Sequence, residues 1–227
     1  MRFRLFTLLL LAAIAVAVPA MGTGINSPDS LLYSQATDFN FSEASQNDTS
    51  SGGLGNFATT YDNFTLGASS NIDQISWVGG YFAGTIAPIQ AFTVDFWSDS
   101  SNMPGSMLAS FHVAGTNGET FLQNDNQGNA TYAYAMNVNF NATGGTQYWV
   151  SIVPDLPFPP QWGWETSVAG DLRSVQDFGG IRSVLTNDEA FALRGTVNTG
   201  TPEPLSLGLM GAGLAALGLV KFRRNRA

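Results

Sequence analysis

Apolar and polar residues alternate along most of the interior of the chain, the period-two pattern of strands with one buried face. Ala91–Trp97 places Phe92, Val94 and Phe96 on one face, and Met107–Val113 places Met107, Ala109, Phe111 and Val113 together. The longest run keeps Tyr132, Tyr134, Met136, Val138 and Phe140 in phase. Tyr148, Val150 and Ile152 form another set, and Phe191, Leu193 and Val197 a last one. Asn71–Phe82, with Ile75 and Trp77 in phase, and Thr59–Leu66 add two more strands. Turn chemistry separates them: Asp99–Gly105 closes on Pro-Gly, Gly115–Gly118 contains Asn-Gly, and Ala142–Gly145 ends on two glycines. No stretch from 23 to 200 shows the apolar period of a three-turn helix. The pattern predicts an all-β fold, an antiparallel two-sheet sandwich of the jelly-roll kind, with Phe92, Val94, Phe96, Phe111, Tyr134 and Val150 in its core. Residues 23–56, rich in Ser, Asn, Asp and Gly, read as an irregular lead-in with one edge strand.

Both ends break the alternation. Arg2 and Arg4 precede an apolar run from Leu5 to Val18, and small side chains follow around Ala20, the layout of a secretory signal peptide over residues 1–22. At the other end, over residues 201–227, Pro202-Glu203-Pro204 is a stiff, non-helical tripeptide. It is followed by the charge-free segment Leu205–Val220 and by Lys221, Arg223, Arg224 and Arg226. As a helix that segment would rise about 24 Å, short of a ~30 Å hydrocarbon core unless the flanking cations snorkel. Those cations stay on the cytoplasmic side by the positive-inside rule, which leaves residues 23–200 outside.

Motif, apolar segment and basic cluster, in that order behind a signal peptide, resemble the PEP-CTERM sorting signal of bacteria. The resemblance implies processing by an exosortase near Pro202-Glu203-Pro204, after signal peptidase has acted at the other end. It also implies a precursor held in the inner membrane and then placed at the cell surface or in the matrix of an exopolysaccharide-producing biofilm. Residues Tyr61–Val197 also resemble a recurrent ectodomain of such proteins. That likeness rests on Asp62-Asn63-Phe64-Thr65-Leu66, Trp77 with Gly79-Gly80-Tyr81-Phe82, Phe92–Trp97, Met103-Pro104-Gly105, Tyr148–Ile152 and Trp162-Gly163-Trp164; it speaks to fold and location.

Charge narrows the function classes. Only 11% of residues are charged, against roughly 25% in typical soluble proteins. Between residues 23 and 200 there are three arginines, no lysine and sixteen acids, a net −13. Phosphate backbones are repelled by such a domain, so nucleic acid is not its partner. With no cysteine and a single histidine, His112, thiol nucleophiles, disulfides, zinc clusters and a Ser-His triad have no residues to draw on. The absence of lysine from the body removes a Ser–Lys dyad as well. The expectation is a non-enzymatic protein without a cofactor. Calcium is the one ion with a site to consider, at the oxygen-rich loop Asn124–Asn129, which lacks a closing Glu.

Two functional readings stay open. In the first, the domain binds exopolysaccharide. Trp162 and Trp164 follow the stiff Pro157-Phe158-Pro159-Pro160 segment, and as i and i+2 on a strand they share one face. Exposed, they form a stacking platform for sugar rings; buried, they are core. In the second, the domain is a secreted carbohydrate-active hydrolase with a carboxylate pair drawn from Asp95, Glu119, Asp155, Glu165 and Asp171.

Overall fold

The computed structural model describes residues 30–82, 86–116 and 118–198. The signal-peptide segment and the sorting motif, apolar segment and basic cluster of the tail lie outside the described residues. No helix among the described residues is long and apolar enough to cross a membrane.

The described chain is all-β, in two sheets. The eight-stranded sheet holds β1 (Ser30–Gln35), β2 (Thr37–Ala44), β5 (Ser70–Tyr81), β8 (Thr120–Asn124), β9 (Ala130–Ala142), β11 (Trp162–Ser167), β14 (Asp188–Glu189) and β15 (Phe191–Val197). The seven-stranded sheet runs β13 (Ile181–Val184), β12 (Ser174–Phe178), β4 (Gly55–Thr65), β3 (Gln46–Asp48), β10 (Gln147–Leu156), β6 (Ala91–Asp99) and β7 (Pro104–Ala114). One core lies between them: Phe64, Phe92, Val94, Phe96, Val150 and Ile152 from the second sheet meet Ile72, Ile75, Trp77, Tyr134, Met136, Phe140 and Leu193 from the first. Phe96 and Phe140 stack across the gap at 4.4 Å between ring centroids. Burying this many large side chains is the main term holding the fold together.

The predicted core is present, with Phe111 half-covered because β7 is the last strand of its sheet. Met107 does not share the core face with Ala109, Phe111 and Val113. The register slips between Phe96↔Ala109 and Trp97↔Met107; this extra residue is a bulge, which turns Met107 outward, half-exposed. Residues 23–56 are not an irregular lead-in where they are described, since 30–48 form three strands. β3 sits between β4 and β10 and pairs with β10 in parallel, so the sheets are not wholly antiparallel. Both ends of the described chain leave at one end of the molecule: Ser30 pairs with Gly195, and Asn198 N–H donates to the Ser69 carbonyl.

Candidate functional site

Trp162 and Trp164 do share a face, but it is the inner one, and both are fully buried. Trp162 packs edge-on to Phe92 and donates Nε1 to the Tyr134 hydroxyl at 3.3 Å. Trp164 packs on Phe191 and donates Nε1 to the Ala190 carbonyl at 2.9 Å. No stacking platform exists at these residues. The neighbouring strand shows why: a side chain at Gly79 would collide with the Trp162 ring, so the glycine of β5 opens the space that the indole fills.

The five candidate carboxylates separate. Glu119 accepts the hydroxyls of Tyr81 and Tyr134 at 2.7 and 2.9 Å. Glu165 is buried and accepts from Ser42 Oγ at 2.7 Å; burial pushes its carboxyl up to about 7. Asp171 accepts the Asn63 side-chain amide. Only Asp95 and Asp155 come together, in a shallow groove on the outer face of the seven-stranded sheet. The strands explain the grouping: on β6 and β10, residues of opposite phase to Val94, Phe96, Val150 and Ile152 point away from the core.

The groove is about 160 Å³ and is lined by Asn47, Asn56, Thr93, Asp95, Val153 and Asp155. Asn47 Nδ2 donates to Asp155 Oδ1 at 2.7 Å. Asp95 Oδ1 is buried with no hydrogen-bond partner. Burial pushes the Asp95 carboxyl up, opposed by the Ser110 hydroxyl. In the register, Asp95 lies opposite Ser151 and Asp155 opposite Ala91. The two acids are therefore four residues apart along neighbouring strands, about 13 Å of rise. Glycosidases hold their two carboxyl groups about 5 Å apart when retaining and about 6.5–9.5 Å when inverting, both shorter than this backbone separation.

Beside the acids, half-buried Trp97 donates Nε1 to Ser151 Oγ at 3.0 Å and meets Tyr61 edge-on at 5.6 Å. Trp149, next across the sheet, is sealed over. Met103 packs on it together with Tyr61 and Val175, and its Nε1 donates to Asp99 at 2.9 Å. Arg173 Nη2 pins the covering loop by donating to the Asn102 carbonyl at 2.9 Å. His112 is exposed on β7, its Nδ1 3.1 Å from Thr93 Oγ1. The groove thus offers acceptors and amide donors, with no cation among its lining residues, and Trp97 lies two residues along β6 from Asp95. That suits a neutral, hydroxyl-rich ligand.

Sequence reasoning missed Trp97, Asn47, Asn56 and Thr93. A signal for Trp97 was present: it is an aromatic in the polar phase of a strand whose other phase is core. The loop Asn124–Asn129 folds as a turn, its Asp125 carboxylate accepting the backbone N–H groups of Gln127 and Asn129 and the Asn129 side-chain amide. No group of three or more acidic or histidine side chains among the described residues could hold a metal ion. No protein-family model matches the chain, and no match was found among the curated proteins.

Proposed function

We propose that this is an exported, non-enzymatic, surface- or matrix-associated protein, sorted through its PEP-CTERM-like tail, whose β-sandwich of jelly-roll kind binds exopolysaccharide in the groove at Asp95. The observation that carries the binding reading is the unpartnered, buried Asp95 oxygen in a cation-free groove beside a half-buried tryptophan. An acceptor without a donor costs about 1–3 kcal/mol, a cost that a ligand hydroxyl would remove by displacing the atoms that now cover it. Carboxylate, amide and indole together match the polar edge and apolar face of a sugar ring. The wide spacing of the two acids supports a binding role over hydrolysis. Signal peptide, apolar segment and terminal cations support the delivery route: signal peptidase at one end, an exosortase at the other, and the inner membrane as the precursor's station.

The test is affinity electrophoresis in gels containing polysaccharide purified from the producing cells. Asp95→Asn and Trp97→Ala should each weaken retention about ten-fold, the scale of one lost polar or stacking contact. Retention unchanged in both variants would remove the groove as the binding site. Chain-shortening of the polysaccharide during incubation would return the hydrolase reading. For sorting, mass spectrometry of the surface-located protein should show the chain ending near Pro202-Glu203-Pro204; intact peptides through Arg226 would sink that part.

A further inference from the structure

We infer that two copies of this chain join edge to edge along β7, so that two seven-stranded sheets become one continuous sheet. An edge strand presents a row of unpaired N–H and C=O groups, and proteins usually blunt long edges with charge, proline, strong distortion or brevity. Most other edges here are short or distorted: β8 has five residues and β1 six, each with a register irregularity. Residues 137–142 of β9 have no strand on their far side among the described residues, but their inner side chains Val138, Phe140 and Ala142 are already buried and gain nothing from a partner. β13 has four residues and β14 two. β2 carries Asp38 and Glu43 and has Phe39 at a φ of 51°. β7 differs, running eleven residues with proline only at its first position and a single bulge. No strand pairs with its far side among the described residues.

Charge argues for self-association. Pro104–Ala114 holds no Asp, Glu, Lys or Arg, inside a body of net −13. Two such strands can approach without like charges facing each other. The core argues the same way. Ala109, Phe111 and Val113 point inward yet are only partly covered, because the sheet ends there. The sequence is self-complementary about Phe111. In an antiparallel pair with Phe111 of one copy opposite Phe111 of the other, Ala109 meets Val113 on the inner face. Ser110 meets His112 on the outer face. Inner residues stay with inner and outer with outer, as register requires. Phe111 already packs edge-on to Phe96 at 6.0 Å, so the new aromatic pair would extend the core.

The geometry has a consequence for location. Both ends of the described chain leave at one end of the sandwich, and antiparallel pairing points these ends of the two copies in opposite directions. Two copies rooted in one flat membrane could not pair this way. On the proposed delivery route, the contact would join chains released from the membrane or rooted on facing surfaces, and it sets two Asp95 grooves on one face of the joined sheet. The pairing itself does not depend on what the groove binds.

The chain has no cysteine, so introduced ones report without background. In the full chain, extracted in detergent, Ser110→Cys with His112→Cys should oxidise to a disulfide-linked dimer, because the two positions are opposite across the pair. Arg194→Cys with Thr196→Cys, at exposed positions of β15, a strand flanked by β1 and β5, serves as control and should form about ten-fold less. Adding Leu108→Lys, at a half-exposed edge position, should cut the 110/112 dimer by a similar factor. It should leave the thermal midpoint within a few degrees of the parent's. No 110/112 dimer, equal dimer in the control pair, or a dimer indifferent to Leu108→Lys would each overturn the inference. So would a one-copy mass with the β7 amides protected by a strand from another protein.

Discussion

Gly79 and Trp162 show how one residue's absence of a side chain determines another's role. An aromatic pair behind a proline-stiffened loop looks in sequence like a platform held out to solvent. It is core because β11 lies against the glycines of β5, with Trp162 opposite Tyr81 and Gly163 opposite Gly80, and the missing Cβ at Gly79 admits the ring. Gly79→Ala should therefore destabilise the domain by about 1–3 kcal/mol through overpacking. Trp162→Ala should cost more, about 3–5 kcal/mol through the cavity it leaves. Urea unfolding followed by circular dichroism separates the two. If Trp162→Ala left the midpoint unmoved while weakening polysaccharide retention, the buried placement would be refuted.

At the scale of elements, the strands legible in sequence were those with large side chains in strict alternation. β6, β9 and β10 match the reading closely, since their inner phases hold Phe, Tyr, Met, Val and Ile. Several of the strands that were missed bury polar groups or nothing. β3 has only Gln46, Asn47 and Asp48, and it is placed by hydrogen bonds instead of apolar burial: Gln46 Nε2 donates to the Leu156 and Pro160 carbonyls, and its Oε1 accepts the Trp162 N–H. β8 and β13 are exposed throughout. No period-two test finds such segments, because their pairing is fixed by neighbours far along the chain. The candidate groove was hidden for the same reason. Asp95 and Asp155 were visible as acids, but their meeting depends on the β6–β10 register.

Asp48 shows what such polar strands contribute. Its carboxylate accepts N–H groups from Ser50, Leu54 and Phe158, together with the Ser50 hydroxyl. These donors hold its carboxyl well below the usual range, the Ser50 hydroxyl foremost. The loop from Asp48 to Leu54 and the segment at Phe158 are thereby tied to one side chain. Asp48→Ala should speed proteolytic cleavage within residues 49–54 and amide exchange at Phe158, leaving exchange in β9 unchanged. Equal acceleration across the whole sandwich would show that Asp48 holds more than its loop.

For the whole molecule, buried acids set the response to pH. Among the described residues there is one ion pair, Arg182 with Asp177 at 3.7 Å, partly exposed and worth little. Several carboxyls are instead buried without cations. Asp62 sits between the sheets, its Oδ2 accepting the Glu189 N–H and, with the Gln35 amide turned end for end so that its nitrogen faces the carboxylate, the Gln35 side chain at 2.7 Å. Burial nevertheless pushes both Asp62 and Glu189 well up, and Glu189 Oε2 has no hydrogen-bond partner. Glu165 rises to about 7 from an ordinary 4.5, and its Oε1 is likewise unpartnered.

A carboxyl whose pKa is raised by folding holds its proton more tightly in the folded chain. Its contribution is fully present below the unfolded pKa and is lost as pH rises through the folded one. For Glu165 that window runs from about pH 4.5 to about 7, and Asp62 and Glu189 act in the same direction. The thermal midpoint should therefore be higher at pH 5 than at pH 8, opposite to a domain held by salt bridges. Below about pH 4 the trend should reverse as Asp48, whose carboxyl is shifted the other way, takes up its proton. Glu165→Gln keeps the side chain's size and removes its ionisation. It should flatten the fall between pH 5 and 8 by up to about 3 kcal/mol, an upper bound at about 1.4 kcal/mol per pKa unit. Calorimetry at pH 5, 6.5 and 8 on the parent and Glu165→Gln measures this directly. A parent domain whose midpoint climbs from pH 5 to 8 would mean that these carboxyls are ionised and partnered, not buried and protonated.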